Sequence, residues 1–181
     1  HQALCRARSV AGQVEDRNRV DEVVQNVLNQ PRDRVELAAD VVTMRGKMLD
    51  HLSSKSDAII NLKQDAGGLV DIEFMAQFAR LAFGGSHRGT VETLRHMAQA
   101  DGVSEVWQLH AGWLADTWLD YRQMENALHV ELWRSIGRLP VDAECAEWET
   151  MRRHAAIYSP KQLRCVMKQV QARFDQLLQA R

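Results

Sequence analysis

The sequence predicts an all-α fold, a bundle of about seven helices interrupted by one irregular loop at 53–68. The 181 residues contain only three prolines and ten glycines, so few points break a helix. Apolar residues make up 45% of the chain and recur mostly at the spacing of three and four residues that marks helices. The length suits a single domain, 1–181, that buries roughly 70% of the surface of the unfolded chain.

Composition and charge exclude several classes of protein. The net charge is −1, so no overall basic field attracts nucleic acid, and we expect no nucleic-acid partner. The apolar runs are far shorter than the roughly 18 residues that span a bilayer, and we expect no membrane contact. Three widely spaced cysteines, Cys5, Cys145 and Cys165, argue against disulfides or a zinc knuckle and predict a cytoplasmic location.

Three helices are predicted before the loop. The first covers 1–11 and ends at Gly12, because glycine is common after the last helical turn. The second covers 14–29, and the third covers 31–52 with Pro31 in its first turn, where proline is tolerated. Their predicted core positions are Val20, Val23, Val24, Val27 and Leu28 in the second helix and Val35, Ala38, Ala39, Val42, Met44, Met48, Leu49 and Leu52 in the third.

The helix predicted at 69–83 belongs at the centre of the bundle, because it is apolar on more than one face. Gly84 and Gly85 end it. Four more helices are predicted at 89–100, at 104–136, at 142–156 and from the capping-box pattern Ser159-Pro160-Lys161-Gln162 onward. The helix at 104–136 carries tryptophans that we expect in the core, or in a partner groove if several are exposed.

The loop and the helix start after it contain the residues whose types and spacing indicate a possible binding site. A short β-prone run at 59–62 is followed by Lys63 and by Gly67-Gly68, which opens the central helix. Free N–H groups at a helix start with a nearby lysine can hold phosphate. Asp71 and Glu73 oppose phosphate there and suit a magnesium ion, directly or through water, or an arginine from a neighbouring domain.

A purely structural interpretation of the same residues stays open. In that interpretation Asp71 caps the helix, Glu73 pairs with a basic side chain, and Gly67-Gly68 permits tight packing. The pattern is not a P-loop, because it lacks G-x-x-x-x-G-K-[ST] after a buried strand. Asp71 and Glu73 are also not the catalytic metal pair of a nucleotidyltransferase, because they lie in a helical pattern with only two residues between Gly68 and Asp71.

Two other groups of side chains favour a structural interpretation. The seven histidines are scattered, and the Glu-x-x-His spacing of a di-iron bundle is missing, so we predict no metal site. The arginines near the start of the chain either contact a nucleotide or a partner, or solvate a helix face. They are Arg6, Arg8, Arg17 and Arg19.

Three sequence blocks resemble one known family. The residues HQALCRAR at 1–8 are similar to the segment that follows the nucleotidyltransferase core in the adenylylating half of glutamine synthetase adenylyltransferases. The block MRGKMLDHL at 44–52 resembles the next helical signature of that family. The block LKQDAGGLVDIEF at 62–74 resembles its most distinctive element, Lys-x-x-x-Gly-Gly followed by Asp-Ile-Glu-Phe. The resemblance is clear over 1–83 and looser through the long helix.

The resemblance implies an enzyme that transfers AMP from ATP to a tyrosine of glutamine synthetase with Mg²⁺. Its other half would remove AMP by phosphorolysis, and glutamine and the PII signalling protein would regulate the balance. The catalytic carboxylates would lie upstream of His1, so we expect no catalytic residue, no metal ligand and no certain cofactor in this chain. It would be a C-terminal fragment that packs on its own upstream nucleotidyltransferase domain.

The hypothesis for the site is that Lys63, Gly67 and Gly68 face the ATP phosphates, with Asp71 and Glu73 in support. The alternative is a non-catalytic interaction module that docks glutamine synthetase or PII through the long tryptophan-bearing helix. A free-standing helical scaffold is the third and weaker alternative.

Overall fold

The computed structural model describes residues 2–133 and 137–179. These residues form seven α-helices, so the prediction of an all-α bundle of about seven helices is confirmed. Along the chain the elements are a 3₁₀ helix (Gln2–Arg6), α1 (Val14–Leu28), α2 (Arg34–Leu52), β1 (Ile59–Asn61), α3 (Leu69–Phe83), α4 (Thr90–Met97), α5 (Glu105–Leu132), β2 (Arg138–Pro140), α6 (Ala146–His154) and α7 (Pro160–Gln179). Over these ranges no helix is both long enough and apolar enough to cross a bilayer.

Helix α3 occupies the centre of the bundle, as its apolar faces predict. Eleven of its 15 residues are buried. It packs against the 3₁₀ helix, α2, α4, α5 and α7. Its bounds match the predicted range 69–83, and Gly84 follows with a φ of +79°, a conformation that glycine adopts freely. The loop before α3 is therefore anchored in the core at one end.

A side-chain cap sets the start of α2. The Asp33 carboxylate accepts hydrogen bonds from the amides of Val35 (2.8 Å) and Glu36 (3.0 Å). This cap satisfies two of the free N–H groups of the first turn. The helix therefore begins at Arg34, and the prediction that it begins at Pro31 is wrong.

The capping pattern predicted for α7 is confirmed in a shifted form. The Ser159 hydroxyl accepts from the amide of Gln162 at 3.2 Å. The Gln162 side chain accepts from the amide of Tyr158 at 3.1 Å, one residue before the amide that a standard capping box uses. Both bonds fix the angle at which the chain enters α7.

The predicted helix at 1–11 is wrong, because only Gln2–Arg6 form a single 3₁₀ turn. Cys5 is the only buried residue of that turn. A short segment with so little burial does not sustain an α-helix. The Ser9 hydroxyl donates to the Asp21 carboxylate at 3.2 Å and thereby turns the chain back onto α1.

The buried face of α2 differs from the predicted one. Five predicted core positions are exposed, namely Val35, Ala39, Val42, Met44 and Leu52. The buried face instead includes Val41 and Arg45, which are 2% and 1% exposed. Arg45 was not among the predicted core positions, and the predicted stripe is shifted around the helix relative to the buried face.

Exposed apolar residues correct two further predictions. In α1, Val20 and Val23 are exposed, although both were predicted to lie in the core. Trp133 follows α5 with a φ of +50° and is 89% exposed, so it is not a core residue. Trp107, by contrast, is buried against Phe78, as predicted.

A short antiparallel strand pair closes one side of the loop. In the register of the pair, Ile59 lies opposite Pro140 and Asn61 lies opposite Arg138. The β-prone run at 59–62 is confirmed as β1, but β2 was not predicted. The long helix predicted at 104–136 ends at Leu132, and residues 134–136 lie outside the described residues.

Candidate functional site

The start of α3 is organised by a buried ion pair between Arg45 of α2 and Asp71 of α3. Their side chains are 2% and 1% exposed, and Arg45 Nε donates to Asp71 Oδ1. Arg45 Nη2 also donates to the backbone carbonyls of Gln64 (2.9 Å) and Asp65 (3.2 Å). One guanidinium therefore joins α2 to both α3 and the loop.

Both oxygens of the Asp71 carboxylate are engaged within the chain. Oδ1 accepts from Arg45, and Oδ2 accepts from the amide of Gly67. Burial raises the pKa of the Asp71 carboxyl, and the Arg45 guanidinium opposes that rise. A magnesium-bound water would have to compete with these two donors. Asp71 therefore has the turn-fixing role that the sequence left as one of two possibilities.

The two glycines form a packed turn. Gly67 has a φ of +79°, and a Cβ built on it would lie 1.9 Å from the carbonyl oxygen of Met167 in α7. A Cβ on Gly68 would lie 2.5 Å from the carbonyl oxygen of Leu62. Only glycine fits such close approaches of backbone to backbone. The structural interpretation of the pair, tight packing, accounts for both positions.

The amides at the start of α3 are also occupied. Those of Gly67 and Gly68 donate to the Asp71 carboxylate and to the Asp65 carbonyl. The next two, from Leu69 and Val70, donate to backbone carbonyls of the loop. A phosphate at this helix start would therefore have to displace bonds within the chain. Phosphate binding by Gly67 and Gly68 stays a prediction.

Tyr121 of α5 holds the turn from the opposite side. Its side chain is fully buried, and its hydroxyl donates to the carbonyl oxygen of Gly67 at 3.1 Å. Burial is the main cause that raises the pKa of this hydroxyl, and the neighbouring Asp71 adds to the rise. The hydroxyl therefore stays protonated and remains a donor.

The loop also supports itself through two polar side chains. The Asp65 carboxylate accepts from the amides of Ser54 (2.5 Å) and Asn61 (2.7 Å). The Asn61 side-chain oxygen accepts from the amides of Lys63 (3.2 Å) and Gln64 (3.0 Å). These bonds fix the backbone on both sides of Lys63.

Lys63 is the exposed cation of this turn. Its amide is held by Asn61, and its carbonyl oxygen accepts from the amide of Val70 at 3.2 Å. Its ammonium group makes no hydrogen bond or ion pair with any described residue, and the residue is exposed. A fixed backbone with a free ammonium can present positive charge to a ligand or to another domain.

Glu73 faces the start of the chain. Its carboxylate lies 3.4 Å from the guanidinium of Arg6, with side-chain exposures of 19% and 59%. Pairing of Glu73 with a basic side chain was one of the two roles that the sequence left open. The contact links two of the three sequence blocks, at 1–8 and 62–74.

The other candidates do not converge on this turn. Arg8 and Arg19 are exposed. Across the described ranges, no three histidine, cysteine, aspartate or glutamate side chains lie close enough together to share a metal ion. The residues that sequence reasoning missed are Arg45, Tyr121, Asp65 and Asn61. Arg45 lies one helical turn after buried Val41 on the same face of α2, but no local sequence signal identifies it, because its partner Asp71 lies 26 residues away.

The chain belongs to the family described as GlnD PII-uridylyltransferase, whose sequence profile matches residues 36–178. The relatives that it matches are named bifunctional glutamine synthetase adenylyltransferase/adenylyl-removing enzyme. The one from Acinetobacter baylyi is 50% identical over 114 residues, which cover 58% of this chain and 12% of the relative. The one from Methylococcus capsulatus is 43% identical over 134 residues, which cover 72% of this chain and 14% of the relative. The one from Thioalkalivibrio sulfidiphilus is 36% identical over 156 residues, which cover 84% of this chain and 16% of the relative.

These similarities confirm the resemblance that the three sequence blocks indicate. The chain spans less than a fifth of the length of these relatives. It is therefore similar to one region of them.

Proposed function

We propose that this chain is the helical domain of an enzyme that transfers AMP from ATP to a tyrosine of glutamine synthetase. It packs on the nucleotidyltransferase domain of the same polypeptide and helps to close the nucleotide cleft. ATP and Mg²⁺ are the cofactors of the whole enzyme, whose other half removes AMP by phosphorolysis and which responds to the PII signalling protein. The names of the relatives support the reaction, and a cytoplasmic location fits it.

Lys63 is the residue through which the domain would act on the nucleotide. The observation that carries this step is the contrast between its fixed backbone and its free ammonium group. Within the turn, Gly67 and Gly68 shape the backbone and Asp71 holds it in place, while Glu73 ties the start of α3 to Arg6. Lys63 would approach the phosphates of ATP and stabilise the negative charge that develops during transfer.

Replacing Lys63 by alanine in the full-length enzyme is expected to lower the rate of AMP transfer at least about tenfold, because one charge-assisted contact to the phosphates is lost. Transfer of radiolabelled AMP onto glutamine synthetase measures the rate. The control is Lys161→Ala, which removes an exposed lysine from α7. An unchanged rate in Lys63→Ala, with folding preserved, would exclude this role.

An interaction module is the second candidate function, because α5 carries an exposed apolar face. Leu119 and Val130, three helical turns apart, are 42% and 70% exposed. They line a depression of about 580 Å³, and Trp133 lies three residues beyond Val130, just after the end of α5. An exposed tryptophan near exposed leucine and valine side chains is typical of protein interfaces. The partner would be glutamine synthetase or PII.

Trp133→Ala separates the two functions. If α5 docks glutamine synthetase, this change weakens binding of glutamine synthetase by the full-length enzyme about tenfold or more, as loss of an interface tryptophan does. Surface plasmon resonance measures the affinity, and Tyr158→Ala, which removes another exposed aromatic side chain, is the control. Equal affinities for all three proteins would rule out docking through this face.

A further inference from the structure

A small cavity lies where the 3₁₀ helix, α3 and the start of α4 meet. Its volume is about 10 Å³, which is room for one group the size of a water molecule. Three arginines and two threonines are among the residues that line it, namely Arg6, Arg80, Arg88, Thr90 and Thr93. No aspartate or glutamate that the structure describes lines it. The wall is therefore positively charged, and the cavity admits only a water molecule or a single small ion.

Arg80 brings a buried charge to this wall. It is 2% exposed, and its guanidinium donates to the side-chain oxygens of Gln25 (2.7 Å) and Asn29 (3.1 Å). Both partners are neutral amides, and they accept from only two of the five N–H donors of a guanidinium. Burial lowers the pKa of Arg80, and the nearby Arg32 guanidinium acts in the same direction. Arg80 stays charged nevertheless, and an unpaired buried charge is costly.

No carboxylate of the described residues forms an ion pair with Arg80. The other two arginines of the wall each have such a partner, Asp21 at 3.0 Å and Glu73 at 3.4 Å. Glu92 accepts from the amide that precedes α4 and lies outside the wall. Burial raises the pKa of the Cys5 thiol, so this neighbour of Arg80 is neutral at neutral pH. The charge of Arg80 therefore has no counter-charge on the wall.

Thr93 of α4 provides independent evidence for a ligand. The residue is 4% exposed and lines the cavity, and its hydroxyl makes no hydrogen bond with any described residue. A buried hydroxyl without a partner costs stability, so most such groups are bonded. A water molecule would satisfy this hydroxyl but would leave the charge of Arg80 unbalanced. An anion would satisfy both, because it accepts from the hydroxyl and pairs with the guanidinium.

We propose that this cavity binds one monatomic anion, which is chloride in ordinary salt solutions. The Arg80 guanidinium pairs with the ion, and the Thr93 hydroxyl donates to it. Thr90 opens α4 on the same wall, where the positive end of the helix dipole adds to the attraction. The ion holds the 3₁₀ helix against α3 and α4. The site depends neither on Lys63 nor on the reaction proposed above.

Thermal unfolding of the 181-residue chain in sodium chloride and in sodium gluconate of equal ionic strength tests the proposal. Gluconate is too large for a cavity of about 10 Å³, so it serves as the anion that does not bind. We expect Tm to be higher in chloride by about 3 °C, because a ligand that binds only the folded chain stabilises it. The line width of the chloride NMR signal should show saturable binding, and bromide should compete for the site.

Two variants each remove one contact with the ion. Thr93→Val keeps the shape of the side chain but removes the hydroxyl, and we expect it to weaken chloride binding about tenfold. Arg80→Gln removes the charge, so both the difference in Tm and the saturable line broadening should disappear. Arg80 also holds Gln25 and Asn29, so Thr93→Val decides the matter if Arg80→Gln does not fold.

Two matched controls lie outside the cavity. Thr117→Val removes another buried threonine hydroxyl, from α5, and Arg95→Gln removes an exposed charge from α4. Both variants should bind chloride as the unchanged chain does. The proposal is overturned if the folded chain shows no saturable chloride binding, because the cavity would then hold water. Equal chloride affinity in Thr93→Val and in the unchanged chain would place the ion elsewhere and would also overturn this site.

Discussion

Replacing Gly67 by alanine is expected to destabilise the chain by at least about 3 kcal/mol, because two penalties add. Its φ of +79° is costly for any residue with a Cβ, and that Cβ would lie 1.9 Å from the carbonyl oxygen of Met167. Neither the backbone conformation nor the close contact can adjust at a low cost in free energy, because the contact joins two segments of backbone. Urea unfolding followed by circular dichroism measures the free energy of unfolding.

Gly46→Ala is the matched control for that substitution. Gly46 lies inside α2, and a Cβ built there meets no atom within 4 Å. Alanine favours a helix interior over glycine by about 1 kcal/mol, so this variant should be as stable as the unchanged chain or more stable. A Gly67→Ala protein within about 0.5 kcal/mol of the unchanged chain would contradict the packed turn.

Breaking the buried ion pair between Arg45 and Asp71 is expected to cause the second large loss of stability. Arg45→Met leaves the Asp71 carboxylate buried without its cation, and Asp71→Ala leaves the guanidinium without its anion. Each single change is expected to cost about 3–5 kcal/mol, since an uncompensated buried charge remains. The double variant should cost clearly less than the sum of the two, because neither charge is left alone. Urea unfolding of the unchanged chain, both single variants and the double variant measures the complete double-mutant cycle.

A solvent-exposed ion pair provides the comparison that shows how much burial adds to the stabilisation by the Arg45–Asp71 pair. Arg95 and Asp116 lie 3.4 Å apart, with side chains 60% and 69% exposed. Arg95→Met is expected to change stability by less than about 1 kcal/mol, as solvent-exposed pairs do. Strict additivity in the Arg45 and Asp71 cycle, or equal effects of Arg45→Met and Arg95→Met, would show that the buried pair does not hold the turn.

Most helices of this fold follow from local sequence, and the exceptions have physical causes. Helix α3 was predictable to the residue, because an all-round apolar run ends at Gly84, whose positive φ suits a helix stop. β2 was not predictable, because its three residues are a strand only through pairing with β1. The α2 face was displaced, because Arg45 satisfies its charge in the core through a partner that lies 26 residues away.

The turn of the candidate site was predictable in location, but its hydrogen bonds were not. Glycines before an Asp-Ile-Glu-Phe block indicated a turn of unusual geometry, and that turn exists. Whether its amides are free or occupied depends on Asp65 and Asp71, and no spacing rule assigns those bonds. Arg164 and Lys168 of α7 also lie beside the loop. They follow it by about a hundred residues, so no local sequence pattern predicts that they are its neighbours.

The close approach of Gly67 to Met167 also has a consequence for synthesis of the chain. The two residues are 100 positions apart, so the start of α3 cannot reach its final structure while the ribosome has released only the first two thirds of these residues. Until α7 emerges, the central helix lacks one of the helices that it packs against. The central element of this bundle is therefore among the last to be completed, and the nascent chain presents apolar surface for most of its translation.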